Sequence, residues 1–429
     1  VAGDLSLLTC PPYDVVDDDA VTELESSSGH NVVRLILPRD GAVAGQDRYA
    51  GAAAALTAWR QAGVLAPDPE PALYVYEQAE PGGHVQRGLL GALCLSPAED
   101  GIVLPHENTM AGPVDDRLAL YTAVGADLEP IFLVYEGGGA ASRAVASVGG
   151  SQDTPLHTPL VDTPLVDTVL ADGLRHRLWA LTEPGVLAEI IADLAPRSAL
   201  IADGHHRYAT YLRRQALRHD AGDGPGPWDR GLCLLVDATS FGPQVHPIHR
   251  VIPGLAAEDL ARRAGSGMAV AQLETSVADG LVALAEAGRD GPAFLLASGD
   301  GRILYLVTRP DAAQLERAVP PGRSTAWSRL DVNVLHAYVV AELWAIPDDV
   351  EHVGYEHDVP AALAAAARTG GTAVLLNPTP VEAVAGVAGA GERMPRKSTL
   401  FTPKPHSGIV IRDFRDAEPG VDQAESGSG

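Results

Sequence analysis

The chain has 429 residues, 46% hydrophobic and 20% charged, which is enough apolar matter for a large core and too much for a disordered chain. Its 56 acidic residues against 31 basic ones give a net charge of −25, and such a surface repels nucleic-acid phosphates and anionic lipid. Three scattered cysteines, Cys10, Cys94 and Cys233, argue against a disulfide framework and a cysteine-built zinc site.

In chain order, residues 32–37 read as an apolar strand and residues 46–61 as an alanine-rich helix. Residues 73–78 and 88–95 read as strands joined around Pro81-Gly82-Gly83, a hairpin signal. A helix over 114–124 stops at Gly125, and a strand follows over 131–135. Residues 137–173 open on three glycines and carry a tandem Thr-Pro-Leu-Val-Asp, which reads as a loop-rich boundary. Beyond it, strands are expected at 232–236, 293–297 and 303–308, the last two around Gly299-Asp300-Gly301.

This mixture of strands, helices and hairpins predicts an α+β or mixed α/β fold with mixed sheets. The expected organisation is an N-terminal α/β region (1–136), a boundary (137–173), a second region (174–254), a C-terminal α/β region (255–414) and a disordered tail (415–429). No apolar run reaches a membrane-spanning length and no basic-then-apolar start marks a signal peptide, so a soluble cytoplasmic protein is expected.

Four motifs carry chemistry. The sharpest is Asp203-Gly204-His205-His206-Arg207, between an apolar strand and an amphipathic helix. A strand, a glycine turn and a helix aim free N–H groups and the positive helix end at an anion. His205, His206 and Arg207 add donors there, and Asp203 can position a metal ion or a hydroxyl. The bland alternative is a helix start with solvated basic residues, but cations at a helix N-terminus oppose the dipole unless an anion is bound.

The second motif is His106-Glu107-Asn108, a polar loop before Gly112-Pro113, with a helix expected to start near Asp115. A carboxylate beside a histidine suits general-base work or a magnesium site. The third, His246-Pro247-Ile248-His249-Arg250, lacks the zincin helix spacing, and His249 and Arg250 read equally as anion donors or as a satisfied structural pair.

The fourth lies in 394–404, which holds both lysines of a chain that otherwise uses arginine 29 times. Lysine persists under such a bias where arginine cannot substitute. The segment only superficially resembles a Walker A loop, because Arg396 replaces the second glycine and a helix precedes it. Lys397, Ser398 and Thr399 remain candidates for binding phosphate or carboxylate. The Cys10-Pro11-Pro12-Tyr13-Asp14 turn reads first as structural, with Tyr13 as its candidate contact.

Taken together, Cys10–Val15 by sequence, Arg34-Leu35-Ile36-Leu37-Pro38, His106-Glu107-Asn108, Asp116-Arg117, Asp203–Arg207, His249-Arg250 and Met394-Pro395-Arg396-Lys397-Ser398-Thr399 resemble the domain-of-unknown-function family numbered 1015. The Asp203–Arg207 motif is also similar to the Gly-x-His-Arg phosphate motif of the ParB and sulfiredoxin superfamily, which includes free-serine kinases. That resemblance implies a ParB/sulfiredoxin-like nucleotide-binding core with additional α/β regions, and a place in serine metabolism.

It implies Glu107 as the base, aided by His106, with Asp203 essential and Asp203 and Glu107 as Mg²⁺ ligands. Gly204, His205, His206, Arg207, His249, Arg250, Lys397, Ser398 and Thr399 would meet phosphate or nucleotide, ATP or ADP. Tyr13, Asn108, Asp116 and Arg117 would meet the substrate. The expected activity is nucleotide- and Mg²⁺-dependent phosphoryl transfer involving serine or phosphoserine. The alternatives are a metal-dependent phosphate-ester hydrolase and a non-enzymatic nucleotide-binding regulator. No nucleic-acid or membrane partner is expected, and the oligomeric state is open.

Overall fold

The structure is a computed structural model that describes residues 4–40, 47–149 and 160–416. It forms two compact units: unit 1 comprises Val1–Val103, Thr109–Pro243 and Pro403–Gly429, and unit 2 comprises Leu104–Asn108 and Gln244–Thr402. Among the described residues no helix is long and apolar enough to cross a membrane. Part of the tandem repeat and residues 417–429 of the expected tail lie outside the described residues.

The strands of the first part of the chain are β1 (Leu73–Ala79), β2 (Val85–Cys94), β3 (Val103–Leu104), β4 (Ala126–Asp127), β5 (Ile131–Tyr135), β6 (Val166–Val169), β7 (Arg175–Leu181), β8 (Ala199–Asp203) and β9 (Arg230–Asp237). Eight of them form one sheet in the order β3-β8-β5-β9-β2-β1-β7-β6. The β5–β9 pair is parallel, whereas β8–β5, β9–β2, β2–β1, β1–β7 and β7–β6 are antiparallel, so the sheet is mixed. Every residue of β5 is buried, as expected of a central strand covered on both faces.

The helices Ala111–Val124 and His205–Asp220 pack on each other, and Leu120, Tyr121, Tyr208 and Tyr211 join Ile131, Leu133 and Trp179 in the core of unit 1. The helix His205–Asp220 buries Arg207, Tyr208, Tyr211 and Arg214, a stripe at three- and four-residue spacing. Residues 139–146 are helical and β6 extends the sheet, so ordered elements of unit 1 lie within 137–173. At the far end Arg412–Asp413 pairs with β4, and Asp416 accepts from Arg60 at 2.6 Å, so the first two residues of the expected tail are folded.

Unit 2 contains β10 (Gln244–His246), β11 (His249–Ile252), β12 (Met268–Leu273), β13 (Ala293–Ser298), β14 (Leu304–Pro310), β15 (Gly354–Glu356), β16 (Thr372–Leu375) and β17 (Leu400–Thr402). Its main sheet runs β12-β14-β13-β16-β11-β15, all antiparallel, and β10 pairs with β17 apart from it. Leu295, Ala297, Leu304 and Leu375 face Leu284, Ala362 and Ala366 of two covering helices, Val277–Ala287 and Val359–Thr369. The expected mixed α/β fold with mixed sheets and hairpins is the observed one.

Two local expectations are corrected. Residues 32–37 do not form a strand: Val33–Ile36 is a single helical turn, with Val33, Leu35 and Ile36 fully buried. The buried Asn31 sets it, its side chain donating to Leu7 and Thr9 carbonyls while accepting the Val33 N–H. A short apolar run buried all round has no period that separates strand from helix. The helix expected near Asp115 begins at Ala111. Pro113 therefore sits in its first turn, where a missing N–H costs no helical bond.

Candidate functional site

The Asp203–Arg207 motif is built as a strand end, a left-handed glycine and an uncapped helix. Asp203 ends β8, Gly204 has φ of +93°, and His205 opens a helix of 16 residues that no side chain caps. A Cβ at Gly204 would lie 2.8 Å from Ile131 Cγ2, so both conformation and space call for glycine. First-turn N–H groups without an intrahelical acceptor point out of such a helix end and favour an anion.

Two residues outside the predicted site complete this corner of unit 1. Lys404 Nζ lies 2.6 Å from Asp203 Oδ1 and 2.6 Å from Asp14 Oδ2. Burial opposes the Lys404 charge, but the two carboxylates outweigh it and hold its pKa above the ordinary lysine value. Burial likewise opposes ionisation of Asp14, yet Lys404 and Arg207 hold its pKa below the usual carboxylate range. The signal for Lys404 was present in the scarcity of lysine. The signal for Asp14 was its place in the Cys10–Asp14 turn, which read as structural.

Lys404 arrives on a short strap. Gln78 and Gln86 side chains donate to the Lys404 and Pro403 carbonyls, each at 2.9 Å. Ser407 bridges to Cys10, and its hydroxyl donates to the buried Glu129 at 3.1 Å. Glu129 also accepts the Tyr13 N–H at 3.0 Å, so one carboxylate ties the N-terminal turn to the strap.

Several expected donors have internal duties instead. Arg207 is 1% exposed, with its guanidinium on Asp203 and the Pro130 carbonyl. It holds Asp203 in place. His206 accepts the Met110 N–H on Nε2 at 3.1 Å, leaving the proton on Nδ1. Burial pushes its pKa below the ordinary histidine value, so it offers a neutral donor and not a cation. His205 is nearly buried.

Both oxygens of Asp203 are engaged, one by Arg207 and the other by Lys404. The Lys404 ammonium lies between the Asp14 and Asp203 carboxylates. Among the described residues the one cluster with metal-binding composition lies elsewhere.

Tyr13, Asp116 and Arg117 stand together in unit 1. The Arg117 guanidinium lies 4.6 Å from the Tyr13 ring centroid, and that of Arg207 lies 6.0 Å from it. Burial pushes the Tyr13 hydroxyl up to about 12. Arg117 is 3% exposed and is held by Asp116 and the Ile36 carbonyl. Asp116 also accepts from Arg48 at 2.6 Å and Tyr49 at 2.8 Å. Arg117 is thus a buried cation paired with Asp116.

The remaining candidates belong to unit 2, where two motifs nearly three hundred residues apart in sequence meet. His106 Nε2 lies 3.0 Å from Thr399 Oγ1, and the His106 carbonyl accepts the Met394 N–H at 2.8 Å. Glu107 Oε1 lies 3.4 Å from the Ser398 N–H, and Ser398 donates its hydroxyl to the Pro395 carbonyl. Asn108 is exposed. Lys397 has φ of +52°, a left-handed conformation costly for a side chain with a Cβ, and its ammonium lies 5.9 Å from the Tyr355 ring centroid.

The Arg250 guanidinium lies over the same ring at 4.9 Å but is fully buried, donating to His336 at 3.1 Å and to the Ile248 carbonyl. Burial pulls its pKa down to about 10. His249 is buried, accepts the Leu376 N–H on Nδ1 at 3.2 Å, and is pulled down to about 4 by burial. His249 and Arg250 are thus both buried and hydrogen-bonded within unit 2.

No curated protein matches this chain. Solved structures similar to it include a mutant free serine kinase in complex with ADP, at 14% identity and TM-score 0.34, covering 74% of this chain and 87% of that one. A conserved hypothetical protein from Pyrococcus furiosus matches at 14% identity and TM-score 0.35, covering 78% and 98%. SbnI with C-terminal truncation from Staphylococcus aureus matches at 10% identity and TM-score 0.34, covering 74% and 84%. The family profile described as protein of unknown function (DUF1015) ends short of the Met394–Thr399 motif, but it matches residues 2–333, most of the sequence, and the chain belongs to that family.

Proposed function

We propose that the protein binds a nucleoside di- or triphosphate at the Asp203–Arg207 corner and moves a phosphoryl group to or from a small hydroxy amino acid, serine or phosphoserine. The observation that carries the phosphate half is the uncapped helix at His205 behind a left-handed Gly204, with Lys404 held beside it by Asp14 and Asp203. Backbone N–H groups and an ammonium form a preorganised anion site, and phosphoryl transfer depends chiefly on such positioning and charge neutralisation.

In this reading the N–H groups of the helix start and the neutral His206 imidazole hold phosphate oxygens. Lys404 neutralises phosphate charge. Arg207 keeps Asp203 oriented, and Asp203 fixes Lys404. The resemblance to the free-serine kinases gives Glu107 the role of base toward the acceptor hydroxyl, because an alcohol must lose its proton as it attacks. Lys397 and the Ser398 and Thr399 segment bind the amino-acid carboxylate or the transferred phosphoryl. The choice of serine rests on the resemblance of Asp203–Arg207 to the motif of the free-serine kinases. Mg²⁺ enters as the counter-ion that a nucleotide carries in solution.

The test incubates the protein with serine plus ATP, and separately with phosphoserine plus ADP, each with Mg²⁺, and follows exchange of the phosphoryl group. Exchange in either direction supports the proposal. Phosphoserine hydrolysis without nucleotide favours the hydrolase, and nucleotide binding without turnover favours the regulator.

A further inference from the structure

A second cluster in unit 1 has no part in the reading above. Asp172 sits in the tight turn between β6 and β7, and His176 follows on β7. His176 Nε2 lies 3.0 Å from Asp172 Oδ2, and His406 Nε2 lies 3.0 Å from the same oxygen. The two imidazole rings converge, with centroids 4.8 Å apart. His176 is fully buried and His406 is 5% exposed, while the Asp172 side chain keeps 25% of its surface open to solvent.

We propose that Asp172, His176 and His406 form a binding site for a divalent transition-metal ion of the zinc class, with solvent at the fourth position. Two imidazole nitrogens and one carboxylate oxygen are the donor set of such ions, whereas Mg²⁺ and Ca²⁺ take oxygen ligands. Ligands about 2.0–2.1 Å from a tetrahedral ion stand about 3.3 Å apart. The separations here of 3.0 Å are a few tenths of an ångström short of that. Asp172 is on a turn beside Gly173, which has φ of +79°, so the carboxylate can open by that amount.

A further observation points to a ligand. His176 is oriented by a partner on its other nitrogen, since Tyr76 Oη lies 2.6 Å from Nδ1. A metal on Nε2 requires Nδ1 to carry the proton and donate it to Tyr76 Oη, which then fixes the ring plane. His406 is held in the cluster through Nε2, which faces the same Asp172 oxygen as His176 Nε2.

His406 is two residues from Lys404 on the same strap. An ion joining His406 to the β6–β7 turn would fasten the strap that carries Lys404 to Asp14 and Asp203.

The experiment uses the full-length untagged chain, stripped with a chelator and dialysed. Zn²⁺ is titrated calorimetrically, and Co²⁺ reports coordination geometry by its visible spectrum. The expected result is one tightly bound equivalent per chain with a tetrahedral Co²⁺ spectrum. Asp172→Asn, on an exposed turn, and His406→Gln each weaken binding at least about tenfold, and Tyr76→Phe weakens it by about tenfold. Hydrogen exchange at the Ser407 amide, bonded to the Cys10 carbonyl at 2.9 Å, should slow when Zn²⁺ is added. The proposal is overturned if the stripped protein binds no stoichiometric Zn²⁺. It is also overturned if Asp172→Asn, folded by circular dichroism, binds Zn²⁺ as the parent does.

Discussion

Lys404 places its ammonium nitrogen 2.6 Å from a carboxylate oxygen of Asp203, two hundred residues earlier in the chain. The same nitrogen is 2.6 Å from Asp14, so removal of one side chain strands two carboxylates at once. Lys404→Ala is expected to cost about 3 kcal/mol of stability in urea unfolding, as for a broken buried ion pair. It should also abolish nucleotide-dependent thermal stabilisation. Lys404→Arg should recover part of the stability, and if it also restores full nucleotide affinity, the requirement for a compact ammonium is wrong.

Gly204→Ala tests the turn itself. The left-handed backbone and the 2.8 Å approach to Ile131 both penalise a methyl group. The expected loss is about 1–2 kcal/mol from conformation, with more from the contact. Nucleotide affinity should fall further than stability, because the helix start is displaced from its aim. A variant that binds nucleotide normally would remove the helix end from the site.

Glu107→Gln separates binding from chemistry. The amide keeps the size of the side chain and can still accept from the Ser398 N–H, so the fold and nucleotide affinity should remain near the parent values. Turnover should fall by two orders of magnitude or more, about the contribution of a general base. Equal activity of the two proteins in the serine and phosphoserine assays excludes Glu107 as the base.

Lys397 offers a test in which stability and function move in opposite directions. Its φ of +52° suits glycine, so Lys397→Gly should stabilise the protein by about 1 kcal/mol in urea unfolding. The same change removes the ammonium and should reduce turnover. Retained activity together with higher stability would show a residue kept for neither purpose. Lost activity with higher stability is the pattern of strain held at a functional position.

The pH dependence of stability has two worked signs. Burial holds the His249 pKa at about 4, below its unfolded value, so the unfolded chain binds more protons in between. Its stability contribution is complete above the unfolded value near 6.5 and is lost as pH falls toward about 4. Asp331 runs the other way: burial raises its pKa from 3.8 to about 7, so its contribution is complete at low pH and is lost as pH rises from about 4 to about 7. Asp331→Asn should therefore stabilise the protein at pH 8, as measured by thermal unfolding, with the gain shrinking toward pH 5. Equal gains at the two values would mean that Asp331 titrates normally.

Sequence patterns exposed those parts of the fold whose signals are local. The glycine turn after β8 and the stop at Gly125 follow from backbone conformations that few other residues adopt. Residues 32–37 were misread because their burial on all sides comes from tertiary packing and from Asn31, neither of which leaves a period. The candidate site shows the same division. Asp203 and Gly204 stand at a visible strand-to-helix turn. Lys404 was marked only by its rarity, and Asp14 by nothing that separates a site carboxylate from a turn residue. The burial of Arg207 left no trace in the sequence, which shows charge and not burial.

The way each unit is assembled from separated segments has a consequence for synthesis. His106 leaves the ribosome 293 residues before Thr399, its partner in unit 2. Asp14 and Asp203 likewise wait for Lys404. At about 5–20 residues per second that delay is roughly 15–60 s, during which the nascent chain holds two incomplete units. Chains cut short anywhere before residue 399 lack a closing contact in each of them. Such fragments should therefore be cleared by proteolysis as a class, with no separate survival of an N-terminal piece.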